Sequence, residues 1–190
     1  MTAKQIIGLG TVCYLLLIPF FYHPDLKIIY YLANFLSAGV GNIYAYISAH
    51  PGAANLGNFV YPPAAYFIWG ILAMIIRPLA GINWAAWLGM GNDAVNTAHL
   101  FRYLFLMKLP LVAVHSVSAL LLVKLVADQK HKKLLALLWF ANPISIYVVA
   151  MMGQIDGLAA LAVIAAVVLA NKKPYLAAML LGFGGAIKTF

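Results

Sequence analysis

The chain has 190 residues, of which 65% are hydrophobic and only 8% charged, with a formal net charge of +8 and a mean hydropathy of +0.96. Soluble domains carry about 25% charged residues, so this chain has too few to cover a surface facing water, and a soluble globular fold is excluded. The apolar runs are long enough for about 30 Å of hydrocarbon, and no ten-residue alternation of a barrel appears, which predicts an all-α polytopic membrane protein. The basic residues cluster at helix ends and are not interleaved with stacking aromatics, so nucleic acid is not an expected partner.

In chain order, the first apolar run, Ile6 to Phe21, follows Lys4. It lacks a small-residue cleavage site and leads into Tyr22-His-Pro-Asp25, so it reads as an uncleaved membrane helix and not a signal peptide. Cys13 within it reads as a small packing residue, because a lone thiol gives no disulfide or metal spacing. Lysines set the remaining topology. Lys124, Lys130, Lys132 and Lys133 mark one inside loop, Lys172 and Lys173 a second, and Lys4 the start. Between the two loops lie an outgoing span near 134–152 and a returning span near 155–171. The turn Gly153-Gln-Ile-Asp-Gly157 is then outside, and the span 103–125 runs from outside to inside.

Residues 23–102 must therefore begin and end outside, as one large outer loop. Parity leaves the apolar run Phe59 to Ile76 without a return partner, since 83–101 is rich in Gly and Asn. Two helices lying in the interface are expected instead, near 26–38 and 63–77, the first of them amphipathic. Trp69, Trp84 and Trp87 suit the headgroup zone. Tyr61-Pro62-Pro63 reads as a helix start, with proline tolerated in the first turn. The last run, Tyr175 to Phe190, heads outward again. Its glycines Gly182, Gly184 and Gly185 suit close helix packing. The whole is expected to be a single transmembrane domain over 1–190, with about five spanning helices.

Acids are scarce: Asp25, Asp93, Asp128 and Asp156, with no Glu. An ionisable group close to hydrocarbon is a candidate functional group. Asp25 opens the outer loop, where it could take a proton from a hydroxyl as a general base or simply cap the helix that follows Pro24. Gln154 and Asp156 follow the Asn142-Pro143 break, and irregular backbone at membrane depth is tolerated where it lines a cavity. A helix start with Asp156 in the first turn is the alternative. Arg102, Lys108 and Lys188 lie on the outer half, against the inside bias. They suit an anionic lipid phosphate, or else snorkel to the headgroups. No pair among His23, His50, His99, His115 and His131 has metal-ligand spacing. His115, inside a span, reads as a partner for a neighbouring helix.

The order Asp25, Tyr31, Ala33, Gly39, Asn42-Ile-Tyr44 and Tyr61-Pro-Pro63 resembles the first outer loop of C-type glycosyltransferases, polytopic enzymes that use polyprenyl-phosphate sugars. Lys108-Leu-Pro110, Trp139-Phe-Ala-Asn-Pro143, Gly153-Gln-Ile-Asp-Gly157 and Gly184-Gly-Ala-Ile-Lys188 are similar to the successive signatures of that superfamily, nearest to bacterial mannosyltransferase-like members. The resemblance implies a C-type helical bundle in a bacterial cell membrane, with the site facing outside. It implies inverting transfer of a hexose, possibly mannose, from a polyprenyl-phosphate donor to a hydroxyl of a glycan, lipid or protein. No cofactor or metal is implied. Asp25 would be the catalytic base. Gln154, Asp156, Tyr61 and Lys108 would shape the substrate pocket, and Lys188 would hold the leaving phosphate. Members of that superfamily are longer, so the 190 residues are expected to be an N-terminal part. A transporter or flippase-type protein for lipid-linked sugars, or a membrane subunit without catalysis, are the competing expectations, since broken helices and a lone acid suit transport too.

Overall fold

The computed structural model describes residues 1–188, and of these all side chains but that of Asn92. Thr189 and Phe190, the end of the last apolar run, lie outside the described residues. The described residues are helical, with no strand among them. Helix α1 (Ala3–Leu17) starts with a capping box: the Thr2 hydroxyl accepts from the Gln5 amide, and the Gln5 side chain accepts from the Thr2 amide. This arrangement satisfies two end donors that a helix cannot satisfy itself. Pro19 follows, and the helix tightens into a 3-10 turn over Ile18–Phe20.

Helix α2 (Pro24–Ala33) continues as a 3-10 turn to Ala38, and α3 (Ile43–Ala49) follows. Helix α4 (Pro63–Ala80) begins after Pro62, as the Tyr-Pro-Pro spacing predicts. The short α5 (Trp84–Leu88) leads to α6 (Leu100–Leu122), the longest helix. Helix α7 (Gln129–Ala141) breaks at Asn142-Pro143 into α8 (Pro143–Ser145), which widens into a π-helical stretch over Ile146–Met152. Proline removes an amide donor and clashes with the preceding turn, and the two halves meet at 45°. Helices α9 (Asp156–Leu169) and α10 (Pro174–Ile187) form an antiparallel hairpin around Lys172-Lys173, packed so closely that a β-carbon on Gly184 would lie 3.4 Å from that of Ala162. Gly182 and Gly185 have open space instead.

Three helices are long and apolar enough to cross a membrane: Ala3–Phe20, Pro63–Ala80 and Leu100–Leu122. The bent pair Gln129–Ala141 with Pro143–Met152 makes a fourth if it counts as one span. Helices α9 and α10 are apolar but have 14 residues each, about 21 Å of rise against about 30 Å of hydrocarbon. These properties are consistent with a membrane protein. Helix α4, expected in the interface, thus has the length and apolarity of a span. It packs along α6: Arg102 donates to the Leu79 carbonyl, and Trp69 lines a cavity together with Pro110, Leu111 and Val114.

Several surface expectations are corrected. Trp69, Trp84 and Trp87 are packed inside the protein, among its most buried side chains, and the Trp87 indole donates to the Ala94 carbonyl at 2.8 Å. Helix α2 is not one-faced: Leu26, Lys27, Ile29, Tyr30, Leu32 and Ala33 are all buried. The tryptophans of α5 cover α2, with Tyr30 edge-on to Trp84. Lys27 escapes the cost of burial by donating to the Met90 carbonyl and lying 5.7 Å from the Trp87 ring centre, a cation–π contact. Cys13 is exposed. His115 does touch two neighbouring helices, its ring stacking between Tyr14 and Trp139 at 5.1 and 5.0 Å and its carbonyl accepting from the Trp139 indole at 3.1 Å.

Helix α1 is held to α6 by a 2.7 Å hydrogen bond between the Thr11 and Ser116 hydroxyls, and to α7 at Gly10. A β-carbon at Gly10 would lie 2.4 Å from Cγ and 2.9 Å from Cβ of Phe140, atoms too near the backbone to swing aside. Gly10→Ala is therefore expected to destabilise by about 1–3 kcal/mol, as overpacking does. Gly8→Ala, with nothing within 4 Å, is expected to be neutral; the thermal unfolding midpoints of the two variants check this contrast.

Candidate functional site

The site is built on Lys108. This residue of α6 has no exposed surface, and its ammonium donates to the carbonyls of Phe21, Ala150 and Met151, the last two at 2.8 Å. The carbonyls at the end of a helix have no partner within it and carry its negative dipole end, so a cation there meets both needs at once. Lys108 thereby ties the chain leaving α1 to the end of the π-helical stretch. Everything the sequence places just after those two points, Asp25 on one side and Gly153 to Asp156 on the other, is brought together by this one side chain.

Gly153 ends the π-helical stretch with φ at +73°, in the left-handed region. A β-carbon there would also meet Leu26 at 2.7 Å. Only glycine suits both the angle and the space. The reversal brings the next residue, Gln154, to α2, where its amide donates to the Asp25 carboxylate at 3.4 Å. Asp25 does not cap α2. His23 takes the cap, its ring nitrogen accepting from the Asp25 amide at 3.3 Å. The Asp25 carboxylate, in the first turn and half exposed, is left for other work, with the His23 ring 3.6 Å away.

Asp156 starts α9 and pairs with Lys188 at the end of α10, closing the open end of the hairpin. The Lys188 ammonium also lies 6.0 Å from the Tyr61 ring centre. Burial first, then the charges of Asp156 and Asp25, push the Tyr61 phenol above its ordinary value, so at neutral pH it remains a hydrogen-bond donor. The Tyr44 hydroxyl donates to the Tyr61 carbonyl and fixes this loop. A cavity of about 260 Å³ opens beside Asp25, walled by Ile28, Gly57, Asn58 and Tyr61. A second, apolar cavity of about 400 Å³ lies between α4 and α6, lined by Trp69, Leu72, Pro110, Val114 and Leu158. Leu158, in the first turn of α9, is part of this lining, so the apolar space adjoins the start of α9.

Of the residues singled out from the sequence, Asp25, Gln154, Asp156, Tyr61 and Lys188 form one polar cluster. Lys108 lies behind it, with its ammonium committed to backbone. His23, Tyr44 and Asn58 were not anticipated at the site. His23 precedes a proline that starts a helix, and that position is a cap signal, although the residue type is unusual there. Chemically, the cluster offers a half-exposed carboxylate with lone pairs free to accept a proton, a phenol donor, and a lysine paired with Asp156.

Fold and site together define an all-helical chain, consistent with a membrane protein, with a polar cluster at one end of apolar helices. No family model, curated protein or solved structure matches it.

Removing the Lys108 ammonium would strand three carbonyls. Lys108→Met, of similar length, is expected to cost about 3 kcal/mol or more, since each buried group left unpaired costs about 1–3 kcal/mol. The fall in unfolding temperature, with faster protease cleavage near Gly153, checks it.

Proposed function

We propose that the protein is an inverting glycosyltransferase, moving a hexose such as mannose from a polyprenyl-phosphate donor to a hydroxyl of a glycan, lipid or protein at the outer face of a bacterial membrane. The single observation that carries this reading is the half-exposed Asp25 carboxylate held by Gln154 beside the Asp156–Lys188 pair and Tyr61. The acceptor oxygen attacks the anomeric carbon on the face opposite the phosphate. The bond from that carbon to the phosphate oxygen breaks, and the polyprenyl phosphate leaves with the electron pair. The hydroxyl proton passes to Asp25.

The leaving phosphate needs positive charge and hydrogen-bond donors already in place. Lys188 supplies the charge by exchanging Asp156 for the phosphate, and the protonated Tyr61 supplies a donor. The apolar cavity between α4 and α6 supports the reading, because it offers a path for polyprenyl units next to the polar cluster. Helix α4, packed against α6, walls that path. Lys108 acts here as a positioning residue.

The protein in liposomes, supplied with polyprenyl-phosphate hexose and an acceptor, tests the proposal. Asp25→Asn is expected to lower turnover by about 10²–10⁴-fold, the range for loss of a general base. Donor binding should stay within about threefold, as for a group that acts only in the transition state. Undiminished turnover in that variant, a product with retained anomeric configuration, or labelled donor crossing the bilayer unconsumed would overturn the proposal.

A further inference from the structure

The opposite end of the bundle holds a second site. A cavity of about 510 Å³ opens where α1 begins, α6 ends and α7 begins. Three lysines line it, one from each place: Lys4, Lys124 and Lys132. Gln129 adds a polar side chain, while Leu120 and Val123 form an apolar wall that runs on into the span of α6. No carboxylate lines the cavity, and among the described residues none of the three lysines is in an ion pair. The acid nearest in sequence, Asp128, is occupied in capping α7, where its carboxylate accepts from the His131 amide at 2.9 Å and the His131 ring at 2.8 Å.

Topology alone does not require this convergence. Lys130, Lys133, Lys172 and Lys173 would mark an inside face equally well, yet none of them lines the cavity. Like charges gathered around one concavity focus a positive field that attracts an anion. Helices α1 and α7 both begin here, so the positive ends of two helix dipoles add to the same field. A phosphate fits the charge. The apolar wall narrows the source: a free anion would leave Leu120 and Val123 unused, whereas the first methylenes of an acyl chain would lie against them.

We propose that this cavity holds the headgroup phosphate of an anionic membrane phospholipid, gripped by Lys4, Lys124 and Lys132. Basic pockets between helices at the inner face of a membrane are suited to such headgroups. The proposal stands apart from the glycosyltransferase reading, since it uses neither Asp25 nor its neighbours.

The test uses the purified protein in detergent, with phosphatidylglycerol, phosphatidylcholine or inorganic phosphate added separately. Native mass spectrometry counts retained lipid, and thermal unfolding reports stabilisation. Wild type is expected to retain phosphatidylglycerol over phosphatidylcholine and to ignore inorganic phosphate. The triple variant Lys4→Gln, Lys124→Gln, Lys132→Gln is expected to bind phosphatidylglycerol about 100-fold more weakly, from about 1 kcal/mol per lysine near a membrane surface. The control Lys130→Gln, Lys133→Gln, Lys172→Gln removes the same charge outside the cavity and should stay within about threefold of wild type. Equal loss in the control, equal retention of both lipids by wild type, or stabilisation by inorganic phosphate would each overturn the proposal. The comparison of lipids on wild type decides the matter even if the triple variant does not fold.

Discussion

A single buried ammonium ties together the end of this molecule that carries Asp25 and Asp156. A lysine taken out of water has to find oxygen atoms, and Lys108 finds three, on the segment that leaves α1 and on the end of the π-helical stretch. The price of burying the charge is also the source of its specificity, since no neutral side chain could draw three carbonyls to one point. Asp25 follows one of those segments within four residues of Phe21, and Gln154 follows the other within three of Met151. Their meeting therefore comes from where the chain is pinned, and the 3.4 Å contact between them is too long to do the pinning itself.

Two groups of charged residues lie at opposite ends of the apolar helices. Asp25 and Asp156 are at one end with Lys27, Lys108 and Lys188, and Lys4, Lys124 and Lys132 are at the other. Basic residues gathered at helix ends bias the direction in which such helices cross a bilayer.

Much of the site was legible because the sequence is so poor in acids. With four carboxylates in 190 residues, each stands out, and Asp25 and Asp156 sit beside a proline and a glycine that mark backbone breaks. Gln154 was legible from the backbone break at Asn142-Pro143, whereas Tyr61 by itself read only as the start of a helix and entered the site through the resemblance. What could not be read depends on contacts distant in sequence. His23 as a cap could be told from Asp25 as a cap only by the angle at which α2 starts. The tryptophans of α5 looked like headgroup anchors because their indoles are amphipathic; their burial depends on α2 lying beneath them. The same holds for Lys27, which looks like a solvated lysine until Met90 and Trp87 close over it. Helix α4, expected in the interface, has the length and apolarity of a span, because its composition suits either a span or a surface helix.

The wide turns over Ile146–Met152 set a phase. In an ordinary α-helix each residue advances the chain by about 100°, whereas a π turn absorbs an extra residue without advancing the face. Ala150 and Met151 therefore aim their carbonyls at Lys108 only while the surplus residue is kept. Losing one amino acid anywhere in that stretch would swing both oxygens away by roughly a quarter of a revolution. Chain length here is as much a part of the recognition as side-chain identity, and related sequences should tolerate exchanges in this segment far better than gaps.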